Sequence, residues 1–250
     1  MTRIRAGLLA LLLLMALLLS QAPARLISWV LPENALVLEG FEGSVWRGSA
    51  ARALLPTTGG YLHIGTLRWQ LSPWSLLTLA PRVSVDSRWG SQQIAATIVY
   101  HGPDHIRLGD VDATVPAALV RQFVPLELSG DLSLLAQRLE LRDGLPYAAD
   151  GRLVWRDGGW VSPQGPRSLG DYALDFSQPP GEPLVGEVAT LAGSLRADGR
   201  VTLSEGNYDV DVLLAGDGLD DPQLRQALQL VAAPEGKGFR VALQGPFSQQ

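Results

Sequence analysis

The sequence predicts a mainly β protein: an N-terminal transmembrane helix, then an extended, twisted antiparallel β-sheet, open or half-rolled, with two or three short helices. Three observations carry this. Residues 6–19 hold no charge and almost nothing but Leu, Ala and Met. Beyond them, short runs alternate apolar and polar residues, the period of a strand with one face covered. The 27 glycines and 17 prolines punctuate those runs and leave few helix-periodic stretches.

The N-terminal run follows Arg3 and Arg5. Fourteen residues make about 21 Å of helix, short of a hydrocarbon core of about 30 Å. Ser20, Gln21 and Ala22 extend it without charge to about the minimum spanning length of ~17 residues. Two readings compete: a retained signal-anchor, and a secretory signal removed at the small-x-small site Ala22-Pro23-Ala24. The apolar return at Leu26-Ile27, with Trp29 suited to the headgroup belt, favours retention. Both place the remaining chain outside the cytoplasm. The arginines precede the span, so the N-terminus faces the cytoplasm. The expected layout is a stub, anchor (about residues 6–22) and membrane-proximal segment over residues 1–31. A periplasmic β-rich domain follows over residues 32–250.

Composition narrows the partners. Formal charge is −5 with both signs scattered, so no basic patch calls for nucleic acid. There is no cysteine, so packing alone holds a chain whose compartment would permit disulfides.

Taken in order, residues 36–41 read as a first strand and residues 43–48 as a second, reached through a tight turn. Residues 61–72 are the clearest strand. Leu62 and Ile64 alternate on one side of Gly65, and Leu67, Trp69 and Leu71 on the other. That one-residue slip is the signature of a β-bulge. Ser72-Pro73 then opens a single helical turn, with serine as N-cap and proline at the first position. Residues 82–89, 93–100 and 105–111 read as successive strands. Residues 114–124 read as a short helix between Pro116 and Pro125. Strands resume at 126–135, 137–142 and 148–156, and Asp157-Gly158-Gly159 signals a hairpin. Residues 161–170 read as a loop. Strands at 171–176, 184–190, 191–198, 199–204 and 208–214 follow, with Asp198-Gly199 as the strongest two-residue turn. Asp221-Pro222 opens a second short helix, and residues 239–243 form the last strand. The pairs Val115-Pro116…Pro125 and Asp221-Pro222…Pro234 echo one another. They suggest two similar halves, about 32–125 and 126–250.

Candidate chemistry is thin. No Gly-x-Ser-x-Gly, no third glycine after Gly216/Gly218 or Gly236/Gly238, and no P-loop is present. His101 and His105 have helical zinc spacing, but Gly102-Pro103 between them forbids the helix, so they read as turn histidines. His63 reads as structural or solvated. Asp110/Asp112 and Asp209/Asp211 share a strand face and suit acid–base work or a cation, though a solvated face explains them more simply. Asp220/Asp221 is a third pair, with Asp221 better read as a cap. Trp69, Trp74 and Trp155 read as core or sheet-packing residues, and Trp29 as interfacial. No catalytic, cofactor-binding or metal-binding residue is assigned, and no cofactor is expected.

The ordered motifs Leu38-Glu39-Gly40-Phe41-Glu42-Gly43-Ser44-Val45-Trp46-Arg47-Gly48, Leu67-Arg68-Trp69-Gln70-Leu71-Ser72-Pro73-Trp74, Gly151-Arg152-Leu153-Val154-Trp155-Arg156, Leu169-Gly170-Asp171-Tyr172 and Asp221-Pro222-Gln223-Leu224-Arg225 resemble protein N of the type II (general) secretion pathway. The resemblance covers nearly the whole chain. It implies a non-enzymatic, single-pass protein of the bacterial inner membrane, its bulk periplasmic, in the apparatus that exports folded proteins across the outer membrane. Its partners would be other inner-membrane and periplasmic proteins of that system. The alternatives kept beside it are a periplasmic lipid-binding or lipid-transfer protein with an apolar groove on the sheet, and a hydrolase built on an aspartate pair.

Overall fold

The computed structural model describes residues 20–29, 36–57, 60–122, 127–162, 165–204, 206–230 and 232–246. The chain divides into two compact units, Met1–Gly90 and Ser91–Gln250.

The first unit holds a 3₁₀ helix at Ala24–Trp29 and strands β1 (Val37–Gly43), β2 (Arg47–Thr57) and β3 (Gly60–Leu71). A second 3₁₀ helix at Pro73–Thr78 leads to β4 (Arg82–Trp89). The strands lie in chain order and every pair is antiparallel. Trp69, Ala50 and Ala24 form the core, with Phe41, Ile27, Leu38, Val83 and Val85 packed around them. Trp69 meets Phe41 edge-on at 6.4 Å and donates its indole N–H to the Val45 carbonyl at 3.2 Å. The bulge expected at Gly65 is present: β2–β3 register shifts around Ala53↔Gly65, where Gly65 has φ +87°.

The second unit runs β5 (Gln92–Gly102), β6 (His105–Pro116), a 3₁₀ helix at Ala117–Gln122, β7 (Leu128–Arg142), β8 (Leu145–Ser162) and β9 (Gly165–Gln178). It continues with β10 (Leu184–Ala192), β11 (Arg196–Ser204) and β12 (Asn207–Ala215). A 3₁₀ turn at Asp217–Asp220 and helix α1 (Pro222–Leu228) precede β13 (Ala233–Glu235) and β14 (Gly238–Pro246). Strand order follows the chain except at the end, where β14 lies between β12 and β13. Leu195, Leu219, Leu224 and Phe239 form a small core under α1.

The mainly antiparallel sheet agrees with the sequence reading, and several details differ. Residues 44–46 are the β1–β2 turn, and the second strand starts at Arg47, near the end of the expected segment, and continues through Thr57. The helix expected from Thr114 begins at Ala117, because β6 keeps pairing with β7 as far as Pro116↔Asp131. The strands expected at 126–135 and 137–142 are a single strand from Leu128 to Arg142, interrupted by a bulge between Ala136 and Arg138, and residue 126 lies outside the described residues. Asp157-Gly158-Gly159 is no hairpin. β8 passes straight through it as a bulge, with Asp157 at φ 49° and both glycines buried. The expected loop over 161–170 is largely strand, since β9 starts at Gly165. Five short helical segments occur among the described residues, more than the two or three expected. No helix among them is long and apolar enough to cross a membrane. The transmembrane helix expected over residues 6–22 falls, through residue 19, outside the described residues.

Asp198-Gly199 is also no turn. Gly199 sits mid-strand in β11, opposite Val212. A Cβ there would lie 2.2 Å from the Asp211 carbonyl oxygen and 2.6 Å from Val212 Cα. Glycine is required by close backbone approach, not by turn geometry. Gly199→Ala is therefore expected to cost about 1–3 kcal/mol by overpacking, read as faster hydrogen exchange in β11 and β12. Unchanged protection would refute that reading.

Candidate functional site

The second unit separates its two sheet faces by chemistry. One cross-strand row runs Ile94, Ala113, Leu134, Leu153, Leu174, Val188, Gly199, Val212, Val241 through nine strands, β5 to β12 and then β14. At about 4.8 Å per strand the row is about 38 Å wide. Two residues along each strand, a second row on the same face is Val111, Ala136, Gly151, Phe176, Gly186, Val201, Val210, Leu243. Every member of the first row is only partly buried. Among the described residues, no large side chain of the chain is fully sealed. Two helical regions cover part of this unit: Ala117–Gln122 packs against β7, and α1 sits over Leu195 and Phe239. The face is apolar and incompletely covered.

The opposite face is charged. Leu135, Arg152, Asp175, Glu187, Arg200 and Asp211 follow one another across the strands, and all are exposed. Arg152 and Asp175 pair in a two-pronged ion pair, with a Nη2–Oδ2 distance of 2.7 Å. That hydrogen bond holds the Asp175 carboxyl below its ordinary range and raises the arginine. Arg240 bridges Asp211 (3.0 Å) and Glu235 (3.2 Å). These exposed pairs set register and solubility more than stability.

The bulges keep the faces separate. In β7 the apolar positions change from Leu132, Leu134 and Ala136 to Leu139, beyond the bulge at Gln137. The matching bulge in β6 lies at Asp110, with φ 49°. Leu108 therefore still faces Leu139, and Glu140 falls on the charged face beside Arg107.

Glu140 is a site the sequence reading missed. Its side chain is 4% exposed. Oε1 accepts from His105 Nε2 at 2.9 Å and from Arg142 Nε and Nη2 at 3.2 and 2.9 Å. Oε2 lies 3.4 Å from Arg107 Nη2. Burial pushes the carboxyl up, but the Arg142 and His105 hydrogen bonds and the Arg107 charge outweigh it, so its pKa is lowered. The Arg142 guanidinium also lies 3.6 Å over the Tyr147 ring. In sequence these are a histidine, a glutamate and two arginines spread over 38 residues. Only strand register assembles them.

The other candidate residues are structural or solvated in their surroundings. His101 stacks on His105 at 4.6 Å, and His63 lies tilted against Trp89 at 4.2 Å. Asp110 and Asp112 are exposed, at the bulge of β6. Asp209 accepts from Gln244 at 2.8 Å, and Asp211 binds Arg240. Asp221 caps α1, accepting from the Gln223 N–H at 2.8 Å, and Asp220 lies 3.8 Å from Arg225. Among the described residues no group of three or more His, Cys, Asp or Glu is placed to hold a metal ion. Trp69 is core and Trp155 is part-buried against Tyr172, but Trp74 is 78% exposed, against the expectation of packing. Trp29, expected to be interfacial, is 84% exposed. The Tyr172 hydroxyl lies 2.9 Å from the Leu195 carbonyl. Burial, with the Asp171 charge behind it, pushes that phenol up to about 12.

Comparison with known proteins completes the picture. No solved structure matches the chain at a significant level. The type II secretion system protein N of Aeromonas hydrophila is 30% identical over 228 residues, 86% of each chain. That of Vibrio cholerae serotype O1 is 27% identical over 236 residues, 88% of this chain and 86% of its own. The family model described as type II secretion system (T2SS), protein N matches residues 34–242. The chain belongs to the type II secretion system protein N family.

Proposed function

We propose that this family member serves type II secretion as a non-enzymatic, single-pass component of the bacterial inner membrane. Residues 1–31 supply the cytoplasmic stub, the span near residues 6–22 and a membrane-proximal segment. Residues 32–250 lie in the periplasm and contact other inner-membrane and periplasmic proteins of the system, aiding export of folded proteins across the outer membrane. Family membership and the uncharged run at residues 6–19 support this reading.

The observation that carries the contact is the end of the second unit's sheet. β13 pairs with β14 only at Gly238, Phe239 and Arg240. From Val241 to Gly245, β14 pairs with β12 on one side and has no second neighbour among the described residues. Its outward N–H and C=O groups can take an added strand from a partner. The chain has no cysteine, so single thiols can be introduced cleanly. Leu243→Cys is expected to crosslink to a secretion-system protein in intact cells, while Pro180→Cys, in an exposed turn, gives no adduct. Equal adducts from both sites, or none from Leu243→Cys, would refute edge docking.

A second reading is favoured by the partly covered apolar face: it binds an acyl chain. Lipid co-extracted with the wild-type chain and lost from Leu134→Asp would support it. Lipid-free wild-type protein would end it.

A further inference from the structure

We propose that the first unit rests on the membrane surface through the 3₁₀ segment Pro73–Thr78, with Trp74, Leu77 and Leu79 seated where headgroups meet acyl chains. This rests on the anchored reading above. Trp74, Leu77 and Leu79 are 78%, 77% and 88% exposed, three large apolar side chains within six residues. Leu79 makes the patch more pointed. It holds the left-handed C-cap position at φ 54°, where glycine is usual. A leucine there is strained, and backbone strain persists where a side chain is needed. Tryptophan with leucine is also the composition of an interfacial anchor.

The chain's own path says what lies beneath. The turn at residues 44–46 holds two segments at once: the Val45 N–H donates to the Ala22 carbonyl at 2.9 Å, and the Trp46 carbonyl accepts from the Leu71 N–H at 2.8 Å. Leu71 immediately precedes the apolar segment, which closes on itself where the Ser72 N–H meets the Arg82 carbonyl at 2.9 Å. Ala22 is three residues from Leu19, the last residue of the uncharged run, a reach of at most about 11 Å. Ala22 and the exposed segment therefore lie at the same end of the sheet. Three exposed arginines belong to that end: Arg25 in the first 3₁₀ helix, Arg47 opening β2 and Arg82 opening β4. None is ion-paired among the described residues. Positive charge flanking an apolar tip fits anionic phospholipid headgroups.

The full chain is reconstituted in vesicles of phosphatidylethanolamine and phosphatidylglycerol, with one spin label each on Leu12→Cys, Trp74→Cys or Ala242→Cys. The label at 74 is expected to collide several-fold more with dissolved oxygen than with a water-soluble nickel chelate, as at 12, with the reverse at 242. A water-exposed label at 74 beside a lipid-exposed label at 12 overturns this docking and leaves the anchor standing. A protein partner for the patch would give that same result, because these vesicles hold only this chain. A water-exposed label at 12 overturns the anchor, and the label at 74 then decides docking alone.

Discussion

Glu140→Gln is expected to destabilise the second unit by about 2–3 kcal/mol and to flatten the acid limb of its stability. The carboxylate is 4% exposed and is bound by His105 and Arg142, with Arg107 beside it. Glutamine keeps the volume but removes the charge, and it turns an amide N–H₂ toward cationic donors. Hydrogen bonds to charged groups are worth about 1.5–3 kcal/mol. The larger loss of about 3–5 kcal/mol for a broken buried ion pair does not apply, because the side chains of His105, Arg107 and Arg142 are 28–46% exposed and regain water. The pH dependence has a fixed sign. The folded pKa of Glu140 is lowered from its ordinary 4.5. Its stabilisation is therefore present above pH 4.5 and is lost as pH falls through the folded value. Urea unfolding of the full chain at stepped pH is expected to show wild type and variant converging below about pH 4.5. Parallel curves throughout would refute the role given to this carboxylate.

Trp69→Ala is expected to cost the first unit about 3–5 kcal/mol, the range for truncating a buried aromatic. The ring is 6% exposed and packs on Ala50 and Phe41. A Cβ on Gly48 would lie 2.6 Å from its Cζ2, so the site was shaped around the indole. The indole N–H also holds Val45, in the turn that binds both Ala22 and the Leu71 N–H through its neighbour Trp46. Trp69→Phe keeps a ring, loses that hydrogen bond and is expected to cost less. Hydrogen exchange read by mass spectrometry should show protection lost in β1–β3 and retained in β7–β9. Unchanged exchange in β3 would contradict the assignment of Trp69 as the keystone of this core.

Period-2 patterning made most strands legible. The 61–72 segment even disclosed its bulge, because Gly65 marks the point where the apolar positions change parity. The same parity change passes unmarked at Gln137, where no glycine signals it, and one strand reads as two. Glycine misled in the opposite direction at Gly158-Gly159 and Gly199. There it admits a neighbouring backbone or the Trp155 ring, and sequence alone does not separate close approach from a turn. The Glu140 cluster was illegible for a different reason. Its members come from two strands, and their meeting depends on the register that the bulges at Asp110 and Gln137 set. Trp74 reads as core or sheet-packing because tryptophan is usually shielded, yet it follows a proline in a segment with no buried residue.

The proposed function places the sheet-bearing body beyond the inner membrane, held by an N-terminal span. Alkaline phosphatase, active only in the periplasm, fused after Gln250 tests this directly. Strong phosphatase activity in membrane-bound fusion protein is the expected result. An inactive phosphatase fusion, with an active β-galactosidase fusion at the same residue, would place the body in the cytoplasm and contradict it.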